Sequence, residues 1–256
     1  MNIFAVAINT YREALRNKVF YIILIFAIVM IFFSLFLASI SLGEQDRILK
    51  HIGLSIMEIF GLLIAMFVGV SLVNDELERK TIYTIIANGV RRSEFILGKF
   101  FGLLLVIIVT FLLMGSILFL VLAIVPGASI SWTLIPAIFY SLLSMMIIIA
   151  VAVLFSSFST PILSAVLTFF VFIIGNLSSD LLEFAKQLAK EGNALLPKML
   201  KCIYYIIPHL DDLNLKNQVL NYKEVAISFP SVLVALLYSA ILLLIASFIF
   251  SRKDFK

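Results

Sequence analysis

Apolar residues run on without alternation over long stretches of this chain, and polar residues are gathered into the gaps between them. The apolar runs cover about 19–41, 52–73, 95–125, 132–155, 162–177 and 229–250. Crossing the hydrocarbon core takes roughly 20 residues of helix, so the pattern predicts six transmembrane helices. The third run is long enough to tilt or to project beyond the bilayer. Pro126 and Gly127 close it, and Trp132 opens the fourth run like an interfacial anchor. Ser156 to Pro161 forms a tight uncharged turn ahead of the fifth run.

Three polar stretches carry a second pattern, apolar positions at helical spacing. In residues 3–18, Phe4, Ala7, Ile8, Tyr11, Ala14 and Leu15 follow the i, i+3, i+4, i+7 rule, with Arg12, Glu13, Arg16 and Lys18 collected towards the end. This predicts a helix in the headgroup region that turns into the first span. Residues 74–99 hold Arg79, Lys80, Arg91, Arg92 and Lys99 together with Asp75, Glu76, Glu78 and Glu94. Between these charges Ile82, Ile85 and Ile86 have the spacing of a short amphipathic helix over 81–87, and Asn88-Gly89 reads as its stop. A solvated connector and a docking surface for a soluble partner both fit this stretch. Residues 180–226 contain two further amphipathic pieces, one from Asp180 to Lys190 and one from Leu195 to Ile207 ending at Pro208. Neither is long and apolar enough to span, so both read as interfacial or re-entrant helices.

Composition settles the solvent. The chain is 63% hydrophobic and 13% charged, against roughly 25% charged residues in an average soluble domain, and its mean hydropathy is +1.17. It is an integral membrane protein by this measure, read as a single transmembrane domain over 1–256. The net charge of +4 calls for no nucleic acid, because cytoplasmic loops of membrane proteins are basic in any case. The apolar run after residue 18 is too long for a cleaved signal and lacks a small-residue cleavage site. One cysteine, Cys202, leaves no internal disulfide and no cysteine metal cluster.

Six spans place both termini on one side. The N-terminal arm, the 74–99 loop and the C-terminal tail hold eleven Lys and Arg residues, including six of the seven arginines. The other side holds eight, six of them in the long 180–226 loop, which also carries six acids. The positive-inside bias therefore puts both termini and the 74–99 loop in the cytosol.

Candidate chemistry is sparse. There is no phosphate-binding Gly-x-x-x-x-Gly-Lys-Ser/Thr loop and no His-Glu-x-x-His, so the expectation is no catalytic residue, no cofactor-binding residue and no metal ligand in this chain. His209 with Asp211 and Asp212 fits a metal site or sensor less well than a polar loop after a proline. Glu58 is the sole acid inside an expected span, and an intramembrane carboxylate is a functional candidate by default. With a helix beginning at 52 it lies about 9 Å inside at about 1.5 Å per residue, close enough to reach the interface or line a water-filled vestibule. Gly53, Met57, Gly61, Ala65 and Gly69 form a four-residue stripe along the same span, and Gly98 and Gly102 repeat the device at the start of the third. Small residues let helices approach closely, within the chain or across a dimer axis.

The 74–99 stretch resembles the first cytoplasmic loop of ABC transporter type-2 permeases, in particular the six-span branch linked to multicopper-enzyme maturation. Glu76, Glu78, Arg79, Thr81, Arg92, Glu94, Gly98 and Lys99 stand at positions of that pattern. Lys80 occupies the place of a usual Gly, and Asn88-Gly89 that of a usual basic residue and Pro. Residues 9–18 resemble the elbow helix of the same permeases. Residues 206–219 resemble the segment before their last span, with Leu213 in place of a Phe.

The resemblance implies an all-α membrane protein with six transmembrane helices, an N-terminal interfacial elbow helix, a cytoplasmic coupling helix, and extracytoplasmic re-entrant or interfacial helices before the last span. It implies the permease subunit of an ATP-driven exporter in the plasma membrane, a dimer with a second copy, and two copies of a separate ATPase that would bind ATP and Mg. The matching residues of the 74–99 loop would then couple to that ATPase, while Glu58, Gly61, Ala65 and Gly69 would serve helix packing or the pathway. The alternative is a non-transporting assembly or immunity protein. A membrane enzyme lacks a convergent polar set in the spans, and a secondary transporter lacks ionisable groups at mid-membrane.

Overall fold

The computed structural model describes residues 3–40, 44–71, 91–126, 128, 130–190, 195–216 and 228–252. Among these residues the only regular secondary structure is helical. The helices are α1 (Ile3–Arg16), α2 (Lys18–Ile40), α3 (Gln45–Leu63), α4 (Arg92–Ile124), α5 (Leu134–Ser156), α6 (Pro161–Asn176), α7 (Ser178–Lys190), α8 (Leu195–Ile206) and α9 (Phe229–Arg252). A π-helical segment, Ile64–Gly69, continues α3, and Asp211–Leu213 forms a 3₁₀ turn. In lipid every backbone group needs an internal partner, which restricts spanning segments to helices here.

Five helices are long and apolar enough to cross a membrane, and there are six if the α6–α7 pair counts as one broken span. α6 is 16 residues long, about 24 Å at 1.5 Å per residue, and α7 leaves it at 65°. The helix is ended by its own C-terminal residues. Asn176 Nδ2 donates to the Phe172 carbonyl at 3.0 Å, Leu177 leaves helical geometry, and the Gly175 carbonyl accepts the Leu210 amide at 3.1 Å. The expected fifth run at 162–177 is therefore a short helix that hands its last carbonyl to a distant segment.

The second span starts earlier than the hydropathy pattern indicates. Its helix begins at Gln45 rather than near residue 52, because Lys50 Nζ meets Asp46 Oδ2 at 2.6 Å one turn away and the pair is buried. Mutual neutralisation lets a polar stretch continue as helix. Glu58 consequently lies about 20 Å from the helix start at about 1.5 Å per residue, near the middle of the 25-residue span Gln45–Gly69.

α3 and α5 form the interior, with 72% of each apolar window buried, against 22% for α2 and α9 on the flanks. α4 runs antiparallel to α3 along the small-residue stripe. Gly53 faces Leu118, Gly61 faces Phe111 and Met145, and Gly69 faces Leu103. Ala65 is buried on the same face. The stripe is thus filled by the chain's own helices and leaves no groove for a second copy. The same holds for Gly98 and Gly102, which receive α1. A Cβ at Gly98 would meet Val6 Cβ at 2.5 Å, and one at Gly102 would meet the Ala7 carbonyl at 2.6 Å. The buried face of α1 is Val6, Ala7, Thr10 and Ala14, so this amphipathic helix lies on the first turns of α4.

Candidate functional site: a three-helix junction and a buried ion pair

At one end of the bundle the start of α4 meets α1 and the end of α9. Glu94 opens α4 by accepting the Arg91 amide on Oε2 at 2.9 Å, which satisfies an orphan donor and places a negative charge at the positive end of the helix. Arg92 Nη1 donates to the carbonyls of Ser251 at 2.8 Å and Phe250 at 3.3 Å. Cations are favoured where a helix presents unpaired carbonyls, and here the cation and the carbonyls lie 158 and 159 residues apart in sequence. Phe95 stacks on Phe250 with centroids 5.6 Å apart. Lys99 Nζ lies 5.8 Å from the Phe95 ring centre and 3.3 Å from Glu13 Oε2 on α1, and its side chain is fully buried. Gly98 seats Val6 in the adjacent turn.

Four of the eight expected coupling residues, Arg92, Glu94, Gly98 and Lys99, are thus gathered in one junction. Each has a structural partner within its own chain. The Arg92 guanidinium is engaged by the end of α9. Glu76, Glu78, Arg79 and Thr81, the helix expected over 81–87 and the stop at Asn88-Gly89 lie outside the described residues.

The second polar site lies towards the opposite end of α5. Glu58 Oε2 accepts Lys216 Nζ at 2.6 Å, and Glu58 Oε1 accepts the Ser141 hydroxyl at 3.0 Å. Both partners of the ion pair are largely shielded, at 8% and 14% side-chain exposure, which makes this a buried pair rather than a surface one. Asn214 Oδ1 accepts the Lys216 amide at 3.2 Å. On the same turn of α5 the Tyr140 hydroxyl accepts the amide of Ser228 at 2.7 Å, immediately before α9. Glu58 is buried and anchors the segment that precedes the last span.

Lys216 is the residue that sequence reasoning missed, since it looks like an ordinary charge in a polar loop. The signal was present in part, because a lone intramembrane carboxylate requires a partner, but 157 residues separate the two in sequence. Ser141 and Glu13 carry no local signal at all. His209 packs its ring 4.1 Å from that of Tyr204 and, with Asp212, Ser231 and Tyr238, lines a cavity of about 190 Å³. Among the described residues no three His, Cys, Asp or Glu side chains gather where a metal could be held.

Long apolar helices define a multi-pass membrane protein. The family model described as ABC-2 family transporter protein matches residues 4–255, and the chain belongs to that family. It is a permease component of an ABC transporter, a class whose work depends on an ATPase partner. No curated protein matches the chain.

Proposed function

We propose that this chain forms one half of the substrate pathway of an ATP-driven exporter in the plasma membrane. It pairs with a second copy, and two copies of a separate ATPase, which hold ATP and Mg, dock beneath the 74–99 loops. Both termini lie in the cytosol with that loop. The observation that supports this reading is the Arg92 junction. A push delivered to the 74–91 stretch arrives at the first turn of α4, and Arg92 passes it to the last turn of α9. α9 begins beside Tyr140 and the Glu58 site, so one helix connects the proposed ATPase side to the opposite end of the bundle.

The test is co-purification of the chain with its native partners, followed by substitution in the loop. Glu78→Ala should weaken ATPase association, and the double variant with Arg92→Ala should also uncouple hydrolysis from transport, while membrane insertion persists. Breaking a buried charged contact at an interface costs about 2–5 kcal/mol, enough to be read as loss of the complex on a column. Lys198→Ala on the exposed side of α8 is the control; Lys216→Ala is unsuitable because Lys216 holds Glu58. A double variant that still binds the ATPase and turns over normally would make the loop a connector and end this reading.

A further inference from the structure

Residues 207–216 do not behave as a surface loop. Leu210 donates its amide to Gly175 at the end of α6, and Gly175 has no room for a Cβ because Leu210 and the Pro208 carbonyl lie against it. Leu210, Leu213 and Leu215 are buried. The segment ends in Lys216, whose ammonium reaches Glu58 near the middle of the α3 span. Two cavities lie along it and share Pro208 and Tyr238 as walls. The first, of about 190 Å³, is reached from the start of α9 and has His209, Asp212 and Ser231 in its lining. The second, of about 380 Å³, lies further along α5 and α9 towards the Arg92 junction, between Val151, Leu154, Phe155, Ile241 and Ile245. Pro208 of the segment and Tyr238 of α9 thus form the wall between the two cavities.

We infer that residues 207–216 are a closure across the pathway and that Lys216–Glu58 is the latch that holds it shut. A buried ion pair contributes little to stability compared with apolar packing, because desolvation offsets the attraction. What it supplies is an arrangement with two alternatives: the pair intact and dry, or both charges hydrated. Lysine suits the second state, since its flexible stem lets the ammonium retreat to water. Ser141 holds the second Glu58 oxygen, and Tyr140 in the preceding position fixes the approach to α9. Movement of α9 therefore acts on the same turn of α5 that anchors the latch. This deepens the transport reading and rests on it: the pair regulates access from the side opposite the termini.

The test places a reporter cysteine beyond the closure, Val151→Cys in a Cys202→Ser background, and adds a membrane-impermeant maleimide outside intact cells. Val151 is buried and lines the inner cavity, so the parent should label slowly. Lys216→Met and Glu58→Gln should each raise the rate about tenfold, which corresponds to about 1.4 kcal/mol of closure. The exchanged pair, Glu58→Lys with Lys216→Glu, should bring the rate back near the parent value. Unchanged rates in the single variants, or no recovery in the exchanged pair, would overturn the latch.

Hydrogen exchange of the purified Glu58→Gln protein gives a second measurement. The latch requires faster exchange over residues 207–213 with α4 and α5 unchanged. Protection lost throughout the bundle assigns the pair to fold stability alone, and protection lost nowhere shows that the pair holds nothing shut; either result overturns the proposal. None of these readings needs the ATPase. A failed transport reading appears as no ATPase on co-purification, and a failed latch as unchanged labelling with the ATPase bound.

Discussion

Arg92 donates to the backbone carbonyl of Ser251 across 2.8 Å, joining the first turn of α4 to the last turn of α9. The contact joins residues 159 apart in sequence and lies within the expected coupling loop. Because the acceptors are backbone carbonyls, the contact depends on the helix end itself and not on the identity of the side chains there. It ties Arg92 to the end of α9.

Replacing Arg92 should therefore separate coupling from docking. We predict that Arg92→Ala retains ATPase binding better than Glu78→Ala does, yet transports less substrate per ATP hydrolysed. Arg92→Lys should recover only part of the loss, since an ammonium lacks the planar fork that spans two acceptors. The measurement is binding by co-purification alongside the ratio of transport to hydrolysis in proteoliposomes. Equal loss of binding in Arg92→Ala and Glu78→Ala would place Arg92 at the ATPase surface after all.

The glycines differ in what they tolerate. Gly98→Ala sets a Cβ against Val6 Cβ at 2.5 Å and the Ile3 carbonyl at 3.2 Å, and overpacking of this kind costs about 1–3 kcal/mol. Gly69→Ala meets only Leu103, at 3.4 Å, an ordinary contact. We predict a lowered melting temperature for Gly98→Ala, with faster proteolysis in α1, and little change for Gly69→Ala. Equal melting temperatures for the two variants would show that α1 does not depend on the Gly98 contact.

The Glu13–Lys99 pair is asymmetric. Lys99 is fully buried while Glu13 keeps 38% of its side-chain exposure. Removing one partner of a buried pair is destabilising. Glu13→Gln should therefore lower the melting temperature of the purified protein. An unchanged melting temperature would show that the Glu13 contact adds nothing to the junction.

Orientation is open to a direct check. With both termini in the cytosol, a cysteine at Asn88 is shielded from an impermeant reagent outside intact cells, and one at Asn193 is labelled. We predict that pattern. Labelling of position 88 from outside would reverse the topology and with it the side on which the latch faces.

The apolar runs by themselves determined a helical membrane protein. A bilayer admits only self-satisfied backbones, and a span has a length that can be counted. The four-residue stripe from Gly53 to Gly69 and the spacing of Gly98 and Gly102 likewise announced close helix contacts, because that spacing puts small residues on one face. What the stripe meets was decided only by tertiary structure: α4 covers the first and α1 the second. Local pattern encodes a period and a face but not a neighbour. The early start of α3 needed the Asp46–Lys50 pair to be seen as neutral, whereas hydropathy counts each charge as a cost. Lys216 lies 158 residues from Glu58, and the carbonyls that hold Arg92 lie 158 and 159 residues from it; no periodicity reaches across that distance. Packing brought Lys216 to a carboxylate that has no basic residue within a helical turn of it, and brought Arg92 to the open end of α9. Those two contacts exist only once the helices are assembled.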